Sequence, residues 1–277
     1  MTHPSVAILG AGSMGEILAE GLLRAGWETD NLILLVRREE RGREAERRTG
    51  ITATLDVAEA VADRDVLVIA VKPKDVDGLL AQIKDIVTPR QVVVSLAAGV
   101  PVSVFENALD AVAVVRSMPN TPAAVDEGIT AYCGGAHAGD DALVLADMVL
   151  SAVGETIRLS EDLLDAVTAV SGTGPAYVFL LAEALTEAAI REGLPHHAAE
   201  KLVVQTLRGA GALLSVSEKS AFRLRAEVTS PGGTTAAAMH ELEDGGFRAL
   251  LERAVQAAAQ RSRELGELAR DQSGPSQ

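Results

Sequence analysis

"VAILGAGSMG", Val6 to Gly15, sets an unbroken apolar run directly against a glycine-rich turn. A run that is apolar at every position, rather than at alternate ones, reads as a strand buried on both faces. The residues that follow read as a helix ending near Gly26. Strand, G-x-G-x-x-G and helix in that order give each glycine a physical task. Gly10 makes the tight turn, Gly12 lets backbone approach a pyrophosphate, and Gly15 lets the helix pack on the strand. Ser13 and Met14 complete the turn. Free N–H groups and the positive dipole end of the helix favour phosphate there. A glycine motif also arises by chance in a chain with 25 glycines; the strand before it and the helix after it favour dinucleotide binding.

Four more apolar runs follow outward from this one: "LILLV" (32–36), "VLVIAV" (66–71), "VVVSLAAG" (92–99) and "VAVVRSM" (112–118), with helical stretches between them. "GITAYC" and "ETIRLS" read as further strands around a helix at 139–152. The alternation predicts an α/β fold, a Rossmann-type doubly wound parallel sheet over residues 1–160. Beyond about 160 the pattern becomes helical, and 161–277 is read as an all-α domain. "PAYVFLLAEALTEAAIREG" is apolar nearly all round and calls for cover by other helices or another subunit. Gly193 ends it, Pro195 suits the next helix start, and a last helix spans about 246–270. The tail from about 270 has no apolar periodicity and reads as disordered.

Composition narrows the function classes. A formal net charge of -14 argues against a nucleic-acid binder, which needs a basic face. A single cysteine, Cys133, permits no internal disulfide and fits a reducing cytoplasm. No span of about 18 apolar residues is read as a membrane helix, and the N-terminus lacks a signal-peptide pattern. His3, His137 and His240 stand alone, and adjacent His196 and His197 point to different helix faces, so no metal site is expected. Cys133 sits in an apolar strand pattern and reads as a small buried hydrophobe.

The ends of the predicted strands carry the cofactor reading, because ligands of such sheets bind outside the carboxyl ends of strands. The second run leads into Arg37 and Arg38, with no carboxylate until Glu39. Guanidinium groups there favour the 2′-phosphate of NADPH over the ribose of NADH, with NADH as the second choice. Arg41 to Arg48 read instead as a solvated helix face with paired charges. Ala70, Val71, Lys72 and Pro73 end the third run, and Ala97, Ala98 and Gly99 end the fourth, where small side chains let backbone face a flat ring. Asn120 sits between two prolines in "MPNTPA" after the next. Each has a bland alternative, an exposed lysine or a turn asparagine; their shared edge favours the site.

In the helical half, "SGTGPAY" (171–177) reads as an ordinary helix start. "VTSPGGTT" (228–235) is less ordinary. Pro231 fixes φ, Gly232 and Gly233 remove side-chain bulk, and Thr234 or Thr235 is expected to cap the helix that follows. Such a turn aims backbone N–H groups at a small anion such as a carboxylate.

Together "GAGSMG", "AVKP", "SLAAGV", "MPNTPA", "SGTGPAYVF", "VTSPGGTT" and "GGFRALLERAV", in that order, resemble the pyrroline-5-carboxylate reductase family nearly end to end. Two departures stand out: Thr173 where the family commonly has serine, and no proline near Ala221. The resemblance implies NADPH-dependent reduction of the C=N bond of L-1-pyrroline-5-carboxylate to L-proline, the last step of proline biosynthesis. It implies a homodimer through the C-terminal helices, with larger rings of dimers known in the family. It also implies a substrate grip by Ser230, Gly232, Gly233 and Thr234, with Thr173 close by. Thr235 would reach the ring nitrogen, Lys72 would border cofactor and substrate, and Glu218 would lie near the pocket as a further catalytic candidate. A β-hydroxyacid dehydrogenase is the rival enzyme, but it needs a lysine and an asparagine on the first long helix of the second domain, and "SGTGPAYVFLLAEALTEAA" has neither. A non-catalytic NADP-binding protein would have no use for the hydroxyl-rich proline-glycine loop.

Overall fold

The computed structural model describes residues 3–272. Strand β1 (Val6–Leu9) runs through the turn at Gly10 into helix α1 (Ser13–Arg24). Strand β2 (Leu32–Leu35), helix α2 (Glu39–Thr49), strand β3 (Thr52–Thr54), helix α3 (Val57–Val61) and strand β4 (Val66–Ile69) complete the first half of the sheet. Asp56 caps α3, its Oδ1 accepting from Ala58 N–H at 2.8 Å, as a carboxylate at a helix start should. Helix α4 (Val76–Ile83), strand β5 (Val92–Ser95), helix α5 (Val102–Ala108) and strand β6 (Ala113–Met118) follow. Strand β7 (Gly128–Gly134), helix α6 (Asp140–Leu150) and strand β8 (Gly154–Arg158) close the sheet.

Strand order is β3-β2-β1-β4-β5-β6-β7-β8, so β1 lies between β2 and β4. The doubly wound sheet expected from the apolar runs is present, with a reversal: β7 pairs antiparallel with β6, and β8 then parallel with β7. An apolar run carries no strand direction, so the reversal was not legible from pattern. Strand β3, three residues at the edge with only Thr54 buried, gives no apolar run and was missed. Strands β1, β2, β4 and β5 are buried at every position, and apolar layers fill both faces of the sheet.

Short helix α7 (Leu164–Val167) leads into a π-turn over Thr168–Gly172. Helices α8 (Gly174–Arg191), α9 (His196–Val216), α10 (Ala221–Glu227), α11 (Thr234–Asp244) and α12 (Phe247–Gln272) make up the rest. The tail read as disordered from about 270 is therefore helical to Gln272, and residues 273–277 lie outside the described residues. Internal contacts group the chain into two units, one running to Thr173 and resuming at Ala257, the other spanning Gly174–Gln256; the change of sequence pattern falls near 160. The end of α12 belongs to the first unit because it packs there. Ser262 Oγ donates to Asp165 Oδ1 at 2.6 Å, and a Cβ on Gly266 would stand 3.0 Å from the Gly99 carbonyl oxygen.

The second unit has almost no interior of its own. Within α8 to α11 only Ala199 and Val203 are buried, while Phe179 is 67% exposed and Leu180 65%. The cover that the apolar helix calls for does not come from within this unit. The helical stretch Glu161–Arg191 contains an 18-residue run with a mean hydropathy of 1.3 and so also reaches the length and composition of a membrane span. That corrects the expectation that no such stretch exists: the run gains length from α7 and the π-turn, which the sequence pattern leaves outside the helix.

Candidate active site

At the carboxyl edge of the sheet the glycine turn has the geometry a dinucleotide needs. Gly10 holds φ at 115°, a region L side chains avoid, and a Cβ there would press on Val71 at 2.8 Å. A Cβ on Gly15 would collide with the Gly10 carbonyl oxygen, so this glycine is what lets α1 close on β1. Gly12 is exposed, is the N-cap of α1 without a side-chain cap, and would meet nothing within 4 Å if it carried a Cβ. Ser13 is exposed and Met14 partly so. The first N–H groups of α1 thus face open space that a side chain would fill. A pyrophosphate fits that cradle.

The other strand ends gather beside it. Ala70 N–H donates to the Leu9 carbonyl at 3.0 Å, which fixes Val71, Lys72 and Pro73 against the Gly10 turn. Lys72 and Pro73 are exposed. Arg37 and Arg38, just past β2, are exposed too. Arg37 is not idle: its Nη2 lies 3.1 Å from Asp75 Oδ2. Of the arginines read as a solvated face, Arg41 pairs with Glu16 and Glu44, Arg43 with Glu39, and Arg48 with Glu16 and Glu20, while Arg47 Nε donates to the Arg43 carbonyl at 3.2 Å. Among the described residues Arg38 makes no ion pair.

After β5, Ala97 is buried and Ala98 exposed, and Gly99, at φ 76°, turns towards Leu265 of α12. Asn120 is buried and both ends of its amide are engaged: Oδ1 accepts from Ile129 N–H at 2.9 Å and Nδ2 donates to the Ser171 carbonyl at 3.2 Å. Its side chain therefore ties the turn after β6 to β7 and to the π-turn. A forked pair reinforces the same turn, with Arg24 Nη2 2.6 Å from Asp126 Oδ1; that hydrogen bond holds the Asp126 carboxyl below its ordinary range. Thr173 follows the π-turn, its Oγ1 donating to the Ala169 carbonyl at 2.7 Å.

The second unit carries the other candidates. Gly232 adopts φ 67°, which only glycine takes without strain. Helix α11 begins at Thr234 with Gly233 as its N-cap, and no side-chain oxygen caps it. This corrects the expected hydroxyl cap: Thr234 and Thr235 are inside the first turn, where their own N–H groups are among those left for a ligand. Ser230 and Thr234 are exposed and Thr235 half-buried. Glu218 is exposed on the link between α9 and α10, whose start is capped by Ser220.

Elsewhere, Cys133 is buried on β7, and burial, with Glu161 close by, pushes its thiol up to about 11. Neighbouring Arg116 is buried and pairs with Glu161 at 2.9 Å. His3 stacks on Trp27 with ring centroids 3.9 Å apart. Among the described residues no three His, Cys, Asp or Glu side chains are grouped to hold a metal. Asp75 and Glu16, which set the arginine pairings, were not singled out from sequence; partners 38 residues apart leave no local signal.

A family model for pyrroline-5-carboxylate reductase dimerisation matches residues 161–265, and one for NADP oxidoreductase, coenzyme F420-dependent, matches 5–99. A pyrroline-5-carboxylate reductase of Corynebacterium melassecola is 41% identical, covering 95% of this chain and 98% of its own length. This chain belongs to the pyrroline-5-carboxylate reductase family. The family member of Methanosarcina acetivorans is 37% identical over 96% of this chain and 99% of its own. The pyrroline-5-carboxylate reductase structure from Coxiella burnetii superimposes with a TM-score of 0.90 at 37% identity, covering 95% of this chain and 98% of that one. That of Plasmodium falciparum, which has NADP bound, gives 0.86 at 28%, covering 96% and 99%. Both family models fall where the two kinds of candidate residue lie, the proline-glycine loop within 161–265 and the glycine turn within 5–99.

Proposed function

We propose that this member of the pyrroline-5-carboxylate reductase family reduces the C=N bond of L-1-pyrroline-5-carboxylate to give L-proline, the closing step of proline biosynthesis, with NADPH preferred to NADH. One observation carries the reading: the kinship runs over nearly the whole chain and so takes in both the cofactor cradle and the uncapped loop at Gly232–Thr235. Bound reduced nicotinamide supplies a hydride. The chain's own part is to hold, orient and keep water away, because an imine carbon is already electrophilic and needs no covalent help.

The Gly12 face and the first N–H groups of α1 hold pyrophosphate. Arg38 and Arg37 take the adenosine 2′-phosphate, while Ala70 to Pro73 and Ala97 to Gly99 offer backbone along the same edge. The turn after β6 is kept in shape by Asn120. In the other unit, N–H groups at Thr234 and Thr235 and the hydroxyls of Ser230 and Thr234 take the substrate carboxylate, with Thr173 as a further contact; Gly232 and Gly233 shape the turn, the Gly233 N–H donating to the Ser230 carbonyl at 3.0 Å. Thr235 orients the ring nitrogen through its hydroxyl, which has no acid–base range near neutrality and so relays rather than owns the proton. Lys72 and Glu218 are the charged groups proposed to steady a protonated imine or an ordered water.

The exposed apolar side chains of α8 and α9 are covered by a second copy, giving a homodimer through the C-terminal helices. The match of the dimerisation model over 161–265 supports protein cover rather than lipid for the Glu161–Arg191 stretch. A ring of such dimers is the larger assembly on this reading. No nucleic-acid partner is expected at a net charge of -14, and the lone buried cysteine fits the cytoplasm.

Steady-state kinetics of the wild type and Gly232→Val test the loop. Intact NADPH binding with substrate turnover lost fits the reading. Unchanged turnover in Gly232→Val removes the loop from the substrate site.

A further inference from the structure

Arg37 and Asp75 sit on opposite sides of the glycine turn. Arg37 follows β2 and Asp75 ends the short turn Pro73–Asp75 after β4, and both strands flank β1. Their ion pair therefore reaches across the end of β1, a span of two strand spacings, roughly 10 Å. The two partners are unequally free. The Asp75 side chain is 22% exposed and the Arg37 side chain 68% exposed, so the carboxylate is the fixed post and the guanidinium the movable arm. Of the other arginines on α2, Arg41, Arg43 and Arg48 are held by Glu16, Glu20, Glu39 and Glu44, and Arg47 lies in the last turn of that helix, its Nε donating to the Arg43 carbonyl. Arg38 and Arg37 are then what the edge offers a phosphate, and one of them is already engaged.

We propose that Asp75 tempers the NADPH preference of this enzyme by competing with the adenosine 2′-phosphate for Arg37. This rests on the reading that the β2 end receives that phosphate. With NADH nothing draws Arg37 away, and the pair stays closed. With NADPH the 2′-phosphate offers several charged oxygens to two adjacent guanidiniums, stronger than a single carboxylate contact to an exposed guanidinium. Arg37 then leaves Asp75, and the lost pair is subtracted from NADPH affinity alone. Asp75 thus narrows the gap between the two cofactors.

The test is equilibrium titration of the cofactor-free, full-length enzyme with NADP+ and with NAD+, by calorimetry, for wild type, Asp75→Asn, Arg37→Gln and the double variant. Asp75 is the N-cap of α4 but makes no side-chain cap bond, and asparagine suits that position equally well, so Asp75→Asn keeps the fold; thermal melts of all four proteins verify it. An exposed ion pair of this kind predicts that Asp75→Asn tightens NADP+ by about two- to fivefold and leaves NAD+ unchanged. Arg37→Gln weakens NADP+, and in its background Asp75→Asn has no effect.

Wild-type protein that binds NADP+ no tighter than NAD+ removes the phosphate site, and the competition with it. A clear NADP+ preference that Asp75→Asn leaves unchanged overturns the competition while the site stands. Weaker NAD+ binding by Asp75→Asn would make Asp75 a ribose ligand and overturns it too.

Discussion

Gly12 and Gly15 are three residues apart in one turn, and alanine at each is predicted to fail in a different way. At Gly15 a methyl group would run into the Gly10 carbonyl oxygen and stand 3.2 Å from both Ala70 Cβ and Ile8 Cγ2. A backbone oxygen cannot rotate aside as a side chain can. Helix α1 must lift from β1 by on the order of 1 Å to regain ordinary separation. Overpacking of this kind costs about 1–3 kcal/mol, a fall in Tm of roughly 2–10 °C for a chain of this size. The N–H groups that hold pyrophosphate move with the helix, so affinity for NADPH falls as well. At Gly12 the methyl group meets no protein atom within 4 Å, and φ is -89°. Folding stability should change by less than about 1 kcal/mol. The new methyl group instead occupies the approach to the helix start. Losing one charge-assisted hydrogen bond to phosphate weakens NADPH binding roughly 10- to 150-fold. Thermal melts and NADPH titrations on the two variants separate the effects. Gly12→Ala that binds NADPH like wild type, or that melts as low as Gly15→Ala, would refute this account of the turn.

Gly232→Ala meets no atom within 4 Å but must hold φ near 67°, a strain of about 1–2 kcal/mol; KM for the imino acid should rise while NADPH affinity holds, as initial-rate kinetics would reveal. Glu161→Ala removes the partner of buried Arg116 and an acceptor for Val102 N–H. Since Glu161 is 39% exposed, the loss is smaller than for a fully buried pair, about 1–3 kcal/mol in urea melts; Arg116→Met added to it should recover part of that. Cys133 should resist thiol reagents in the folded state at neutral pH. Its folded thiol titrates at about 11, against about 8.5 unfolded, so the folded chain binds more protons in between. Its contribution is full below the unfolded value and is lost as pH rises through that window; Cys133→Ala should flatten the decline.

How much of this was legible in the sequence depended on whether a feature is local. The buried strands, the G-x-G-x-x-G turn and the long apolar helix follow from patterns within a dozen residues, and each is found where the pattern put it. Strand β3 is three residues with polar threonines at its ends, too short and too polar to register. The reversal at β7 depends on how the chain returns to the sheet, which burial pattern does not encode. Thr234 and Thr235 satisfied the residue preference for a cap, but Gly233 took the position because its backbone is extended there. The pairing of Arg37 with Asp75 and the use of Asn120 as a joint to Ser171 arise between distant segments. They alter what those side chains are free to do, and the sequence leaves no sign of it.

The central claim is imine reduction by reduced nicotinamide. Purified full-length protein should oxidise NADPH on addition of L-1-pyrroline-5-carboxylate and form L-proline mole for mole, followed by loss of reduced-nicotinamide absorbance and by amino-acid analysis of the product. No substrate-dependent loss of absorbance, or loss of absorbance without proline, would contradict it.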